Sequence, residues 1–206
     1  MTSAETMEIR SIRYSEVPVA AAVLGRGMRD NPLHVAALGS DPSMRERALT
    51  GVFRSFLAME ATKKGRVVGA FKDGVMVGVC GMMRPGSCQL APPERVVLLP
   101  RLLWHCGFGG TGKLMSQFGH WSKLDLATPH WHLGPVGIER ELQGQGVGSL
   151  LLREFSRLVD ADAAEAWLET DKAVNVSFYR KHGFEVVAEE VVNGVPNWFM
   201  GRKAKP

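Results

Sequence analysis

The chain has 206 residues, a length that suits one α/β domain, or a small domain with an added helical lobe, and that can bury most of its apolar surface without staples. With 45% hydrophobic and 22% charged residues it has an ordinary globular composition, and no run approaches the roughly 20 apolar residues of a membrane span. The net charge of +4 suits an anionic small ligand, while the lack of a dense Lys/Arg run argues against a nucleic-acid partner; the tail Arg202-Lys203-Ala204-Lys205 reads as a solvated terminus.

The first ten residues have neither the basic start nor the apolar centre of a secretion signal, so a cytoplasmic protein is expected. Cys80, Cys88 and Cys106 are odd in number and show no CxxC spacing. They read as reduced thiols, buried or incidental, and no metal site is expected.

In chain order, Glu8–Tyr14 alternates polar and apolar residues and predicts a half-buried strand. A helix follows, with Ser15 as N-cap and Val17, Ala21, Val23 and Leu24 apolar, and it stops near Asn31-Pro32. Asp41-Pro42 opens a second helix that carries Leu49, Val52, Phe53, Phe56, Leu57 and Met59 as far as Lys63-Lys64-Gly65. Val67–Phe71 and Val75–Val79 flank Lys72-Asp73-Gly74 and predict a hairpin.

The stretch from about 85 to 129 reads as a helical insert on the substrate side of a single domain spanning 1–206. It has helices at Arg95–Trp104 and Leu114–Leu126, joined by a flexible glycine loop. That loop, Gly107–Lys113, fits G-x-x-x-x-G-K of a phosphate-binding loop and G-x-G-x-x-G of a dinucleotide fold. Both need a strand directly before them, and Arg101–Cys106 reads as a helix end. Leu114 also stands where the Mg²⁺-binding Ser or Thr belongs, so nucleotide binding here is the remote alternative.

The last third predicts a strand at His130–Ile138, a glycine turn, a helix at Val147–Val159 and a strand at Ala166–Thr170. A short helix at Asn175–His182 stops at Gly183; strands at Phe184–Val192 and Pro196–Gly201 join through Asn193-Gly194. This order implies an α/β fold with a partly parallel sheet. The turn Gln143-Gly144-Gln145-Gly146-Val147-Gly148-Ser149 leads a strand into a helix. Its glycines let the backbone approach a ligand, and the free amides of the first helical turn favour a pyrophosphate; a tight connection and nothing more is the competing reading.

Gln143, Gly146 and Gly148 form Q-x-x-G-x-G, which resembles the acetyl-CoA pyrophosphate loop of the GNAT superfamily of N-acetyltransferases. Downstream, Leu168-Glu169-Thr170, Asn175 and Phe178–Phe184 resemble that family's second signature, N-x-x-x-Y-x-x-x-G-F. The two cover roughly residues 130 to 203. Trp131–Ile138, with the L-E-T and F-Y-x-x-x-G-F segments, is similar to puromycin N-acetyltransferase and its relatives.

The resemblance implies a GNAT fold, a mixed, twisted central sheet splayed at the middle with helices on both faces. It implies acetyl-CoA as co-substrate and transfer of its acetyl group to a primary amine, and it admits a homodimer. It implies that Val136, Gly137 and Ile138 hold the pantetheine arm through their backbone, and that Gln143, Gly144, Gln145, Gly146, Val147, Gly148 and Ser149 hold the pyrophosphate. Asn175 and Phe178 would contact the cofactor and Tyr179 would sit beside the thioester sulfur. A GNAT-like domain that binds acetyl-CoA without turnover, as a sensor or interaction module, is the alternative.

The chemistry poses two proton problems. An alkyl ammonium with pKa ~10.4 is only about 0.04% neutral at pH 7 and must lose a proton. The departing thiolate, with pKa ~8.5, would take a proton from a phenol near ~10 uphill by about 2 kcal/mol. Tyr179 therefore either hydrogen-bonds the sulfur or has a lowered pKa. For the base, His132, Glu169 and a chain of water molecules all stand; His130 shares a strand face with His132. Glu139, Glu141 and the pairs Arg153/Arg157 and Arg180/Lys181 read as solvated.

Overall fold

A computed structural model describes residues 7–61, 65–89 and 91–204. The predicted absence of a secretion signal rests mostly on residues 1–6, and the expected end of the second helix at Lys63-Lys64 and of the tail at Lys205 also lie outside the described residues.

Among the described residues seven strands form one sheet in the order β1-β2-β3-β4-β5-β7-β6. They are β1 (Met7–Ser11), β2 (Gly65–Lys72), β3 (Val75–Met83), β4 (His130–Ile138), β5 (Glu165–Thr170), β6 (Glu185–Val192) and β7 (Val195–Arg202). Every neighbouring pair is antiparallel except β4 and β5. The predicted mixed sheet is present, and Asp73-Gly74 makes the β2–β3 turn with positive φ at both residues.

Side-chain alternation sends successive residues to opposite faces. On β2, Val67 joins a cluster with Ala20, Leu24, Leu49, Phe53 and Leu57, which come from α1 (Val17–Met28) and α3 (Pro42–Met59). The next residue, Val68, joins the opposite cluster with Leu151, Leu152 and Phe155 of α5 (Val147–Ala161). Helices thus cover both faces, as an α/β sandwich of this kind requires. Asp41 caps α3, accepting hydrogen bonds from the Ser43 and Met44 amides at 2.8 and 3.3 Å.

Three local expectations need correction. The first strand ends at Ser11, and Tyr14–Glu16 form a 3₁₀ turn that runs into α1, so Glu16 rather than Ser15 precedes the helix. Asn31-Pro32 does not only stop α1: Asn31 and Pro32 are N-cap and first residue of α2 (Pro32–Leu38), so the pair closes one helix and opens the next. The glycine segment 107–113 is not a loop. It lies within α4 (Pro92–Leu124), where only Gly107 departs from helix, at φ 65° and ψ 178°. Leu98, Leu102 and Leu114 bury against Ala37 and Val52, and this packing overrides the weak helix propensity of Gly109, Gly110 and Gly112. With helix before it, and with Lys113 donating to the Ala36 carbonyl at 2.7 Å, the segment has no phosphate-loop geometry.

The closing elements, α6 (Ala173–Arg180), β6 and β7, lie within two residues of expectation at their starts, and Gly183 leaves α6 at φ 84°. Glu139, read as solvated, is instead paired with Arg26 of α1 at 2.6 Å. Arg153, Arg157, Arg180 and Lys181 are exposed, and Arg157 pairs with Glu154. Among the described residues no helix is long and apolar enough to cross a membrane.

Phe155 is fully buried, its ring 6.4 Å from Trp131 and 6.3 Å from Phe184. Phe155→Ala removes a ring that joins α5 to β4 and to the start of β6. It lowers the unfolding free energy by about 3–5 kcal/mol, read from urea unfolding.

Candidate active site

The site forms where the sheet parts. β4 and β5 are paired only at His130–Glu165, Trp131–Ala166 and His132–Trp167. Beyond His132, β4 continues along β3, reaching Ile138 opposite Gly78, while β5 continues along β7. The β4–β3 register slips between Cys80–Val136 and Met82–Leu133, so Gly134 and Pro135 bulge opposite Gly81. The β5-facing backbone of β4 from Leu133 to Ile138 thereby has no strand partner among the described residues, in the middle of a sheet.

A cavity of about 360 Å³ opens at this wedge, between β4 and β5 below and α2, α3 and α4 above. That volume suits a small organic ligand. Pro135, Val136, Asn175 and Tyr179 line it on one side; Phe56, Phe118 and Trp121 supply an aromatic wall on the other, stacked edge to face at 5.5 and 6.2 Å. Four acids, Glu60, Asp125, Glu169 and Asp171, also face it.

The glycine turn reaches α5 at one end of this wedge. Gly144 and Gly146 take φ of 78° and 88°, which a side chain would strain. Leu150 is the first residue of α5 to bond back, to the Gly146 carbonyl at 3.2 Å, so the Val147, Gly148 and Ser149 amides have no intrahelical acceptor. Gln143 braces the turn: its Nε2 donates to the Ile138 carbonyl at 3.0 Å and the Gly27 carbonyl at 3.3 Å. Gln145 donates to the Glu141 carbonyl. A methyl on Gly148 would sit 3.2 Å from Phe178, so that glycine lets α6 close on α5. Gly137 is buried against Leu24 for the same reason, and Ser149 Oγ lies 3.3 Å from His182 Nε2.

Asn175 and Tyr179 both face the cavity, one helical turn apart on α6; Asn175 Nδ2 donates to Thr170 Oγ1 at 3.1 Å. Burial, with Cys80 and Asp171 nearby, pushes the Tyr179 hydroxyl well above the ordinary phenol range. That shift runs opposite to a lowered Tyr179 pKa and favours the protonated phenol.

His132 and Glu169 come together. His132 Nε2 lies 3.1 Å from Glu169 Oε2, and Trp167 Nε1 donates to Glu169 Oε1 at 3.0 Å. Burial works against the His132 imidazolium, but Glu169 and Asp125 outweigh it and hold its pKa well up. His130 follows the same pattern, pushed up to about 10 because Asp125, at 2.9 Å, and Cys88 outweigh burial. Cys88, read as incidental, faces these histidines: burial raises its thiol, their charge dominates, and it falls to about 7.

Sequence reasoning missed Glu60. It follows α3 in a short wider turn and is 4% exposed. A Cβ on Gly81 would strike its Oε2, and Pro135 borders the same spot, so the carboxyl rests over the β3–β4 bulge. Oε2 has no hydrogen-bond partner among the described residues. Burial drives this carboxyl well above the carboxylate range, with His132 opposing. The signal was there: Glu60 is four residues after Phe56 and three after Leu57, on the apolar face of α3. Asp125 caps the end of α4 and carried no such pattern.

The family model described as Acetyltransferase (GNAT) family matches residues 34–184. Solved structures share the fold at low identity. A "histone acetyltransferase HPA2 and related acetyltransferase" from Corynebacterium glutamicum superposes with TM-score 0.75 at 19% identity, covering 98% of both chains. PaiA N-acetyltransferase from Thermoplasma acidophilum, in complex with coenzyme A, gives 0.61 at 16%, covering 96% of this chain and 99% of that one. A GNAT family acetyltransferase from Brucella melitensis, in complex with acetyl-CoA, gives 0.54 at 17%, covering 98% and 90%.

The buried Glu60 carboxyl makes a stability prediction. Its folded pKa is raised, so the contribution of the protonated group is full below the unfolded value near ~4.3 and is lost as pH rises through the folded value. Glu60→Gln removes that loss. It raises the unfolding free energy by about 1–2 kcal/mol at pH 8, and the gain fades toward about pH 4 in urea unfolding run as a pH series.

Proposed function

The chain belongs to the acetyltransferase (GNAT) family, and on that premise we propose that it is an N-acetyltransferase moving the acetyl group of acetyl-CoA to a primary amine of a small molecule. The carrying observation is the wedge between β4 and β5. It brings an unpartnered strand edge, Tyr179 and Asn175 to one side of a cavity whose other side is aromatic and acidic.

Acetyl-CoA fits the residues present. The edge at Val136 and the Ile138 amide, whose carbonyl already accepts from Gln143, can hydrogen-bond an extended pantetheine arm as an added strand would. The Val147, Gly148 and Ser149 amides at the start of α5, behind the Gly144–Gly146 turn, suit the pyrophosphate. Gln143 serves this loop as its brace, since its amide is spent on Ile138 and Gly27. Phe178 sets the spacing of α5 and α6 that the loop needs. Two neighbours of the same fold crystallised with coenzyme A or acetyl-CoA support this donor.

The acceptor chamber suits a cation with an apolar body. Phe56, Phe118 and Trp121 offer ring faces and edges, and Glu169 and Asp171 offer negative charge. The similarity of Trp131–Ile138 to puromycin N-acetyltransferase and its relatives belongs to the same proposal, as a pointer to small amine-bearing acceptors.

In the reaction, the neutral amine attacks the thioester carbonyl, the C–N bond forms, the C–S bond breaks, and the second proton of the attacking nitrogen passes to the departing thiolate, giving the amide and free coenzyme A. Glu60 takes the proton from the incoming ammonium: it borders Pro135 beside the free strand edge, it is buried, and one oxygen is unengaged. His132 and Glu169 satisfy one another and serve as the rival base. Tyr179, kept protonated by burial, hydrogen-bonds the departing sulfur.

Thiol release from acetyl-CoA with a panel of aromatic and aliphatic amines tests this. Turnover is expected with at least one amine, with Tyr179→Phe and Glu60→Gln each losing about 100-fold or more in kcat and keeping acetyl-CoA affinity. Full activity in Glu60→Gln with loss in Glu169→Gln moves the base to the His132–Glu169 pair. Tight acetyl-CoA binding without turnover across the panel favours a sensor module.

A further inference from the structure

Cys88, Asp125, His130 and His132 come from three separate places: the connection after β3, the end of α4, and β4. One donor atom from each lies within 4.8 Å of every other. Cys88 Sγ is 3.5 Å from His130 Nε2, which is 2.9 Å from Asp125 Oδ1, which is 3.9 Å from His132 Nδ1. Metal–nitrogen and metal–sulfur bonds of about 2.0 and 2.3 Å give tetrahedral edges of about 3.3–3.6 Å, so these atoms sit near the corners of one coordination shell.

The imidazoles are turned for ligation. His130 Nδ1 lies 2.8 Å from the Thr128 carbonyl, an acceptor, so that nitrogen carries a proton and Nε2, which would give up its own proton to a metal, is the nitrogen turned to the cluster. His132 Nε2 lies 3.1 Å from Glu169 Oε2, an acceptor for a proton on that nitrogen, which leaves Nδ1 on the cluster side. Each ring thus gives its outer N–H to an oxygen, as metal-bound histidines do. His132 Nδ1 is fully buried and has no hydrogen-bond partner among the described residues. A cluster built only as a hydrogen-bond network would satisfy that atom.

We propose that Cys88 Sγ, Asp125 Oδ1, His130 Nε2 and His132 Nδ1 form a binding site for a divalent transition metal, with Zn²⁺ as its occupant. Thiolate, two imidazoles and a carboxylate are borderline-soft donors that select zinc over magnesium or calcium. All four positions are filled by the protein, so the site is structural and leaves no open position for a substrate. It fastens the end of α4 and the segment around Cys88 to β4, and so sets one wall of the acceptor cavity, which Cys88, Asp125 and His132 also line. The inference does not rest on acyl transfer, since with Nδ1 on the metal His132 keeps only Nε2 toward Glu169, and its test does not use turnover.

The full chain, purified under reducing conditions without chelator from zinc-supplemented medium, is expected to carry about one Zn²⁺ per molecule by elemental analysis. After chelator treatment, Co²⁺ is expected to bind with the visible absorption of a tetrahedral centre and a thiolate-to-cobalt charge-transfer band. Cys88→Ser loses that band and His130→Ala weakens Co²⁺ binding at least tenfold, whereas Cys106→Ser, with its thiol elsewhere on α4, changes neither. Wild-type protein with only traces of zinc and no Co²⁺ spectrum overturns the proposal. So does a charge-transfer band that survives Cys88→Ser.

Discussion

Everything distinctive in this protein follows from the parting of β4 from β5 after His132. Two parallel strands that stayed paired would satisfy each other's backbone groups and leave no gap between them. Three pairs form and then stop, because β5 stays on β7 while β4 bulges at Gly134 and Pro135 and remains on β3. The result is a strand edge inside a sheet with no strand partner among the described residues, where backbone polar groups are costly to leave unmade. A ligand with an extended amide-bearing arm is the natural partner for such an edge. The rest of the molecule holds the wedge open: α5 and its glycine turn at one end, α6 below, and α3 and α4 above.

The roof over the wedge is organised by charge placed against its helical grain. Glu60 follows an amphipathic helix on its apolar side, and its carboxyl rests on a glycine that leaves room for it. Such a group is a burden for stability and an asset for proton transfer, which is the usual tension at an active site. The histidine pair on β4 meets the same problem differently. Both rings are engaged on their outer nitrogens, and the inner nitrogens converge with Cys88 and Asp125. Two clusters thus face one cavity, one at the free strand edge and one at its far wall.

The C-terminal half was legible because its signals are local and agree with one another. Strand alternation, the Gly144/Gly146 turn and the Gly183 stop each state a backbone need that only certain residues meet. The roof was not, for three physical reasons. The Gly107–Lys113 segment contradicts its own propensity, and only packing of Leu102 and Leu114 on α2 and α3 makes it helical. The Asn31-Pro32 pair can end one helix or begin the next, and nothing local chooses. Cys88 and Asp125 gain meaning only when the two helical runs of α4, kinked at Gly107, carry its end back to β4. No spacing rule spans such a gap. Glu60 lay between these cases, visible as a carboxylate on an apolar stripe.

Calorimetric titration of the purified protein with acetyl-CoA, with ATP as the control ligand, tests the central claim most directly. The account predicts micromolar binding of acetyl-CoA, as the free β4 edge and the amides of Val147, Gly148 and Ser149 would provide, and no binding of ATP. Binding of ATP in place of acetyl-CoA, or of neither, would contradict it.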